Sequence, residues 1–447
     1  MSARLLVLFS VAVGLWAQRD PKDLLIQMSR RALDSIGHEP RYVVAERIER
    51  KYFEPHDAGR LHSCDDVAAE LKSAPGKSGL ERSRLATADT VRADVAIDGV
   101  TELYSWVGEN HYTGPVDAMQ FVDDRDSNQF LVAGAVTIVG LSSLVQKILR
   151  GEDDSLFSYN GDQVQEGRTL SEFGFSVLPA SSHLTFRVAG GGVTTPYDGT
   201  ILADATTGEM VRIVIRIAEV APAAGLCELT QTAEYGKVHL EGEDFLLPKQ
   251  VLTQLTKSDG ALFENRATYS SWRGFPSWIP AAERPSPTSA FSAERPPPPG
   301  IRFSIMLDQP IDTATAAFGD RVRAIVTSDT VDNKSGKVAF PAGAVVEGRI
   351  IKLLRVYGRT ESSYSLTILV RWETATDEKS TRRFTARLEE LLRAGVGAFS
   401  GIDGAALKEA DGFSLRMTDH GLSEVRGVKP GHILRKGMRT RWKTVAP

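Results

Sequence analysis

The residues best suited to chemistry in this 447-residue chain sit close together at His56, His62, Cys64, Asp65 and Asp66. Imidazole, thiolate and carboxylate all ligate metals, but a structural zinc site needs short paired spacings that this stretch lacks. It reads instead as a solvated loop. The only other cysteine is Cys227. In a reducing compartment the two would stay thiols, whereas in an oxidising one they could pair. Such a bridge would close a very long loop, worth about 4–5 kcal/mol by chain entropy. Gly76-Lys77-Ser78 ends like a phosphate loop, yet Leu71 stands where that motif needs glycine, and no strand precedes it. Gly190-Gly191-Gly192 reads as a flexible turn with no helix after it. Neither a Gly-x-Ser-x-Gly elbow nor a His-Glu-x-x-His helix is present. The other histidines (His38, His111, His183, His239, His420, His432) are scattered singly. The carboxylate pairs Asp123-Asp124 and Asp153-Asp154 fall in turn-like segments. No catalytic residue, cofactor or metal ligand follows from this pattern, and the reading is of a non-enzymatic protein.

A basic run closes the chain: Lys429, Arg435, Lys436, Arg439, Arg441 and Lys443, with no acidic residue after Glu424 and Trp442 among them. It offers a docking surface for anionic lipid head groups or an acidic protein partner, and nucleic acid is not expected of an exported protein. Alternation along the solvent side of a closing strand explains the same pattern. The formal net charge of −4 is unevenly spread. From Gly300 onward there are 24 Lys/Arg against 17 Asp/Glu, while the remainder carries 29 against 40. At low salt the two parts would attract one another.

The elements that must position these groups begin after a leader. Arg4, the apolar run Leu5–Trp16 and small Ala17 predict a secretory signal peptide over residues 1–17. An uncleaved anchor is the alternative. No cysteine follows the run to carry an acyl chain, and the periplasm or the outer-membrane surface is the expected location. Pro21–Ile36 predicts an amphipathic helix with Leu24, Leu25, Met28, Ala32, Leu33 and Ile36 on one face. The period then changes to two, with Tyr42, Val44, Glu46, Ile48, Arg50 and Tyr52 sharing one side of a strand. Leu85–Ile97 alternates likewise and turns at Asp98-Gly99. Phe130–Leu149 predicts a strand or turn running into a buried helix near Leu141–Leu149. The clearest hairpin pairs Thr200–Ala203 with Met210–Ala218, its turn bracketed by Asp204 and Glu209. Strands Glu228–Leu240, Phe245–Thr256 and Ala261–Trp272 follow.

Mainly β architecture is therefore expected: a large curved antiparallel sheet with a packed helix over residues 21–274. A Pro-rich linker spans residues 275–300, and its four consecutive prolines Pro296–Pro299 favour an extended spacer. Residues 301–447 carry short strands about a dozen residues apart, which predicts a small β-barrel or sandwich. Glu389–Gly412 loses the alternation and reads as a surface loop with a short helix.

The initial helix, the long strands and the hairpin Asp204–Arg212 give the first module a resemblance to the lipoprotein-carrier (LolA/LolB-like) half-barrel superfamily. That resemblance implies a half-open antiparallel barrel cupping a helix and holding a lipid or acylated ligand. In the second module Gly319–Val326 and Phe340–Ile350 resemble the β-barrel domain of TrbI-like conjugation channel proteins. That resemblance implies a structural barrel that meets envelope partners. Together they suggest an exported protein that binds an apolar or lipidic ligand, or a scaffold of an envelope assembly docking through its C-terminal module.

Overall fold

A computed structural model describes residues 20–56, 59, 61–73, 83–99, 101–108, 138–188, 191–275, 296–358, 364–378, 380–392, 407–408, 414–417, 423–426, 431 and 433–445. The leader, the Gly-Lys-Ser segment, Phe130–Thr137, Asp123-Asp124, Gly190, most of the linker, Lys429, His111, His420 and His432 lie outside the described residues.

Helix α1 (Pro21–Gly37) begins where Asp20 accepts a hydrogen bond from Lys22 N at 2.9 Å, with proline at its first turn. Its buried stripe is Leu24, Met28 and Ala32. Ten antiparallel strands follow: β1 (Tyr42–Pro55), β2 (Ser83–Asp98), β3 (Thr101–Ser105), β4 (Leu156–Gln165), β5 (Arg168–Val177), β8 (Tyr197–Asp204), β9 (Met210–Ile217), β10 (Leu226–Leu240), β11 (Glu243–Lys257) and β12 (Leu262–Gly274). A small hairpin, β6 (Thr185–Val188) and β7 (Gly191–Thr194), stands outside the main sheet. Pairing runs β3–β2–β1–β12–β11–β10–β9–β8–β5–β4. One face of this curved sheet is apolar, and α1 and α3 (Ile138–Arg150) lie on it in a single core. Residues Cys64–Ser73 form helix α2 rather than the expected loop. Ser63 Oγ accepts from Asp66 N at 3.1 Å, and Asp66 accepts from His62 N at 3.2 Å. These reciprocal bonds start the helix.

The second module is a closed barrel. Its wall is β13 (Arg302–Leu307), β15 (Arg321–Val326), β18 (Val345–Val356) and β19 (Ser365–Thr376), then β20 (Thr381–Arg383) with β21 (Thr385–Leu392), and β26 (Arg439–Val445). Each pairs with the next, and β26 returns to β13. Phe384 joins β20 to β21, its backbone N donating to Glu373 O at 3.1 Å. Two-stranded ladders, β14 (Ile311–Asp312) with β25 (Ile433–Leu434) and β16 (Thr330–Val331) with β17 (Val338–Phe340), flank the wall. Strand β21 runs to Leu392, so part of the segment expected as a loop is barrel wall. A bulge beside Leu388 had broken its alternation. Aromatic rings fill the interior. Phe303 stacks on Phe340 at 4.4 Å, Phe384 meets both edge-on, and Trp372 meets Trp442 at 5.5 Å.

The two parts share backbone hydrogen bonds. Strand β3 covers only Asp94–Asp98 of one β2 edge, and the rest would lie open. Barrel residues cap it: Arg355 and Val356 pair with Ala88 and Thr87, and Tyr357 N donates to Ala86 O at 2.7 Å. Phe318 and β2 then exchange two bonds, Phe318 N to Thr90 O and Arg92 N to Phe318 O. Arg92 Nη1 donates to both carboxylate oxygens of Asp320, at 2.9 and 3.0 Å, and its Nη2 donates to Thr315 O at 3.0 Å. Gly319 has φ +96°, and a Cβ there would come within 2.5 Å of Arg92 O. Only glycine permits this approach. No helix among the described residues is long and apolar enough to cross a membrane.

Candidate functional site

The inner face of the ten-stranded sheet offers the strongest candidate site. Because side chains alternate along each strand, Tyr42, Val44, Glu46, Ile48, Arg50 and Tyr52 of β1 all point to it, as the sequence period predicts. Registered partners extend it across Val91, Ala93 and Val95 of β2, Ala267 of β12, Val251 of β11, Ala233 of β10 and Ile213 of β9. Over β9 and β10 these residues are sealed by the helices, and Ala233 and Ile213 are wholly buried. Over β1, β2 and β12 the cover is thinner, since Glu46, Ile48, Val91, Ala93 and Ala267 are each only part-buried. An apolar strip there is neither packed shut nor freely exposed.

Helix α1 is held over this face at few polar points. Gln27 Nε2 donates to Thr207 O at 3.4 Å, Arg31 donates to the same oxygen, and Ser35 Oγ accepts from Leu246 N at 2.9 Å. Otherwise its hold is the apolar contact of Leu24, Met28 and Ala32. At the opposite end α2 is tied down covalently, because Cys64 and Cys227 of β10 are joined as a disulfide with Cα atoms 5.1 Å apart.

Two sets of polar groups interrupt the apolar face. The first gathers Glu46, Glu102, Tyr104 and Tyr269 near the β3 edge. Tyr104 donates to Glu102 at 3.0 Å. Burial, then the nearby Glu102 charge, pushes the Glu46 carboxyl up to about 7, although the Tyr269 hydroxyl partly opposes this. Burial likewise lifts Glu39, at the rim beyond α1, to about 7, and the Tyr269 hydroxyl is held well above its usual range, first by burial and then by Glu46. The second set is a single register row, Gln231–Thr253–Asn265–Arg50–Asp89, crossing five adjacent strands. Gln231 is 2% exposed and reaches Thr253 at 3.5 Å, while Arg50 Nε donates to Asp89 at 2.6 Å. Period-two reading found Arg50 and Asp89 on the face. The row itself needs the strand registers, which the sequence does not contain.

Elsewhere, residues with chemical potential are structural. No group of three metal-capable side chains occurs among the described residues, and His62 and Asp66 serve the start of α2. The wholly buried Asp153 accepts from Tyr197 and His183, each at 2.6 Å. Burial would raise its carboxyl, but these bonds and the charges of His183 and Lys147 outweigh burial and hold it below the usual value. The neighbouring Ser182 hydroxyl donates to Thr195 O at 2.6 Å, so it is not poised against the imidazole. In the C-terminal run, β26 alternates buried Thr440, Trp442 and Thr444 with outward Arg439, Arg441 and Lys443. Lys443 lies 3.9 Å from Glu389 and Lys436 lies 3.6 Å from Asp308, while Arg435 is exposed.

No protein-family model matches the sequence, and no curated protein matches it. Among solved structures the chain is similar to a LolA-superfamily protein of Nitrosomonas europaea, at 7% identity over 57% of this chain and 93% of that one, with a TM-score of 0.23. It is also similar to the lipoprotein LppX of Mycobacterium tuberculosis, at 13% identity over 57% and 96%, TM-score 0.20. A third similarity is to ComB10 of the Com type IV secretion system of Helicobacter pylori, at 13% identity over 33% and 85%, TM-score 0.19.

Proposed function

We propose that this chain is an exported, non-enzymatic envelope protein whose first module holds an apolar or lipidic ligand on the inner face of its sheet. The observation that carries the reading is the part-buried strip over β1, β2 and β12, continuous with a sealed apolar core. Apolar surface left half-covered costs free energy unless something occupies it, at roughly 25 cal/mol per Å². A covering helix held mainly by apolar contact can shift to admit an occupant without breaking a β-ladder. The disulfide suits an oxidising compartment, in keeping with the leader expected over residues 1–17 and an outer-membrane or periplasmic location.

Native mass spectrometry of the protein purified from the envelope fraction, followed by lipid extraction, tests this. A co-purifying lipid or acylated ligand, lost when Ile48 and Val91 are both replaced by Asp in a protein that still folds, supports it. Ligand-free protein in a defined oligomer would overturn it in favour of a scaffold docking through the second module, the reading that the closed barrel favours.

A further inference from the structure

On the barrel's outer face, register places three arginines side by side on adjacent strands: Arg321 of β15, Arg349 of β18 and Arg371 of β19. Neighbouring strands lie about 4.8 Å apart, so three full positive charges line up within about 10 Å. Like charges directly opposite one another destabilise a sheet. Glu373 serves both Arg349, at 3.5 Å, and Arg371, at 3.2 Å, and Arg321 makes no ion pair among the described residues. Arg349 is 2% exposed and is held there, donating to Gly319 O at 3.2 Å beneath the Trp106 ring of the first module at 5.7 Å. A buried guanidinium fixed by the module junction cannot swing away from its neighbours.

This row floors an open groove of about 1620 Å³ at the junction. Lys337, Arg382 and Arg383 also line it, against the acids Asp332, Glu347 and Glu373. Trp106, Phe384 and the prolines Pro296–Pro299 supply apolar walls. The geometry points to a binding site for a phosphate group, carried by a soluble phosphate compound or by a lipid head group. A phosphomonoester brings about two negative charges and three acceptor oxygens, enough for forks from more than one arginine. This site is separate from the inner face of the first module and stands whether or not that face takes a ligand.

Pyrophosphate titrated into the full chain by calorimetry, and co-sedimentation with phosphatidic acid or phosphatidylcholine vesicles, test the assignment. Arg321→Gln and Arg371→Gln are the informative variants, because Arg349→Gln risks the junction itself. Arg168→Gln, an exposed cation of β5 outside the groove and outside the C-terminal basic run, is the control. Loss of one groove fork should weaken binding about tenfold, with the control unchanged. Pyrophosphate binding lost in the two variants supports a soluble ligand. Retention only on phosphatidic acid vesicles, lost in the same variants, supports a head group. No binding to either probe, or binding reduced equally by Arg168→Gln, overturns the site in favour of none or of diffuse charge.

Discussion

The first module and the second solve the same problem, an antiparallel sheet with one apolar face, in opposite ways. The barrel curls until β26 meets β13 and fills its interior with its own rings, Phe303, Phe340, Phe384, Trp372 and Trp442. The first sheet stays open and borrows its cover from α1 and α3, with α2 fastened across one end by the disulfide. A filled barrel has no removable part. A cover held by apolar contact and a few hydrogen bonds can be displaced, so only the first module has an interior that a ligand could share. The contrast also explains the junction. Closure removes the barrel's edges, but the long β2 keeps an uncovered one, and the barrel lends it Phe318 and Arg355–Tyr357.

The largest effect should come from the covalent part of the borrowed cover. Cutting Cys64–Cys227, 163 residues apart, by Cys227→Ser should cost about 5 kcal/mol from loop entropy. Denaturant-dependent hydrogen exchange read by peptide mass spectrometry, on peptides of α1 to α3 on one side and of the barrel strands on the other, would separate the modules. The helical transition should move and the barrel transition should not; an equal shift in both would erase the distinction drawn between them.

Core truncation sharpens the contrast next. Trp372→Ala removes a ring that is 1% exposed inside the barrel and should cost about 3–5 kcal/mol, with no gain in binding of apolar dyes. Met28→Ala on α1, equally buried, should cost about 2–4 kcal/mol and raise dye binding, because it loosens a cover. Dye binding that rises in neither variant would mean that α1 is as fixed as the barrel wall.

How much of this was legible follows the range of each interaction. Period-two alternation found the inner-face residues Tyr42 to Tyr52 because alternation is local. The hairpin at Asp204 was readable for the same reason: Asp204 accepts from Thr206 N and Thr207 N, and Gly208 takes a positive φ. Helix α2 is signalled by the capping pair Ser63-x-x-Asp66, but the same short stretch holds His62, Cys64 and Asp65, whose types equally suit an exposed loop. The Arg321–Arg349–Arg371 row and the Gln231-to-Asp89 row could not be seen at all. Each depends on strand registers set between residues far apart in sequence. Pro296–Pro299 suggested separation of the modules, and nothing local to the linker predicted that β2 would recruit the barrel to its edge.

pH distinguishes the two interiors more gently. The folded chain holds the Glu46 proton up to about pH 7, against an ordinary value of 4.5, so it binds more protons than the unfolded chain between those values. Stability should therefore be full below about pH 4.5 and fall as pH rises towards 7, by at most about 3 kcal/mol, since water reaches this part-buried group. Glu39 contributes with the same sign. Glu46→Gln should leave stability at pH 5 nearly unchanged and raise it at pH 8. Thermal melts at the two values check this, and a variant less stable at pH 8 would mean that the carboxylate is paired rather than stranded.

The smallest effect is expected at the C-terminal basic run. Arg439, Arg441 and Lys443 alternate with the buried side chains of a closing strand, and Lys443 meets the part-buried Glu389 only at 3.9 Å. Exposed ion pairs contribute roughly 0–1 kcal/mol, so Lys443→Gln should shift barrel stability by less than about 1 kcal/mol. Truncating Trp442 on the same strand should cost several times more, because its ring packs against Trp372. A basic surface without a stability role would be consistent with the proposed docking of an anionic partner. A Lys443→Gln variant that unfolds the barrel would instead make the run part of its frame, and the proposal of a C-terminal docking surface would lose its basis.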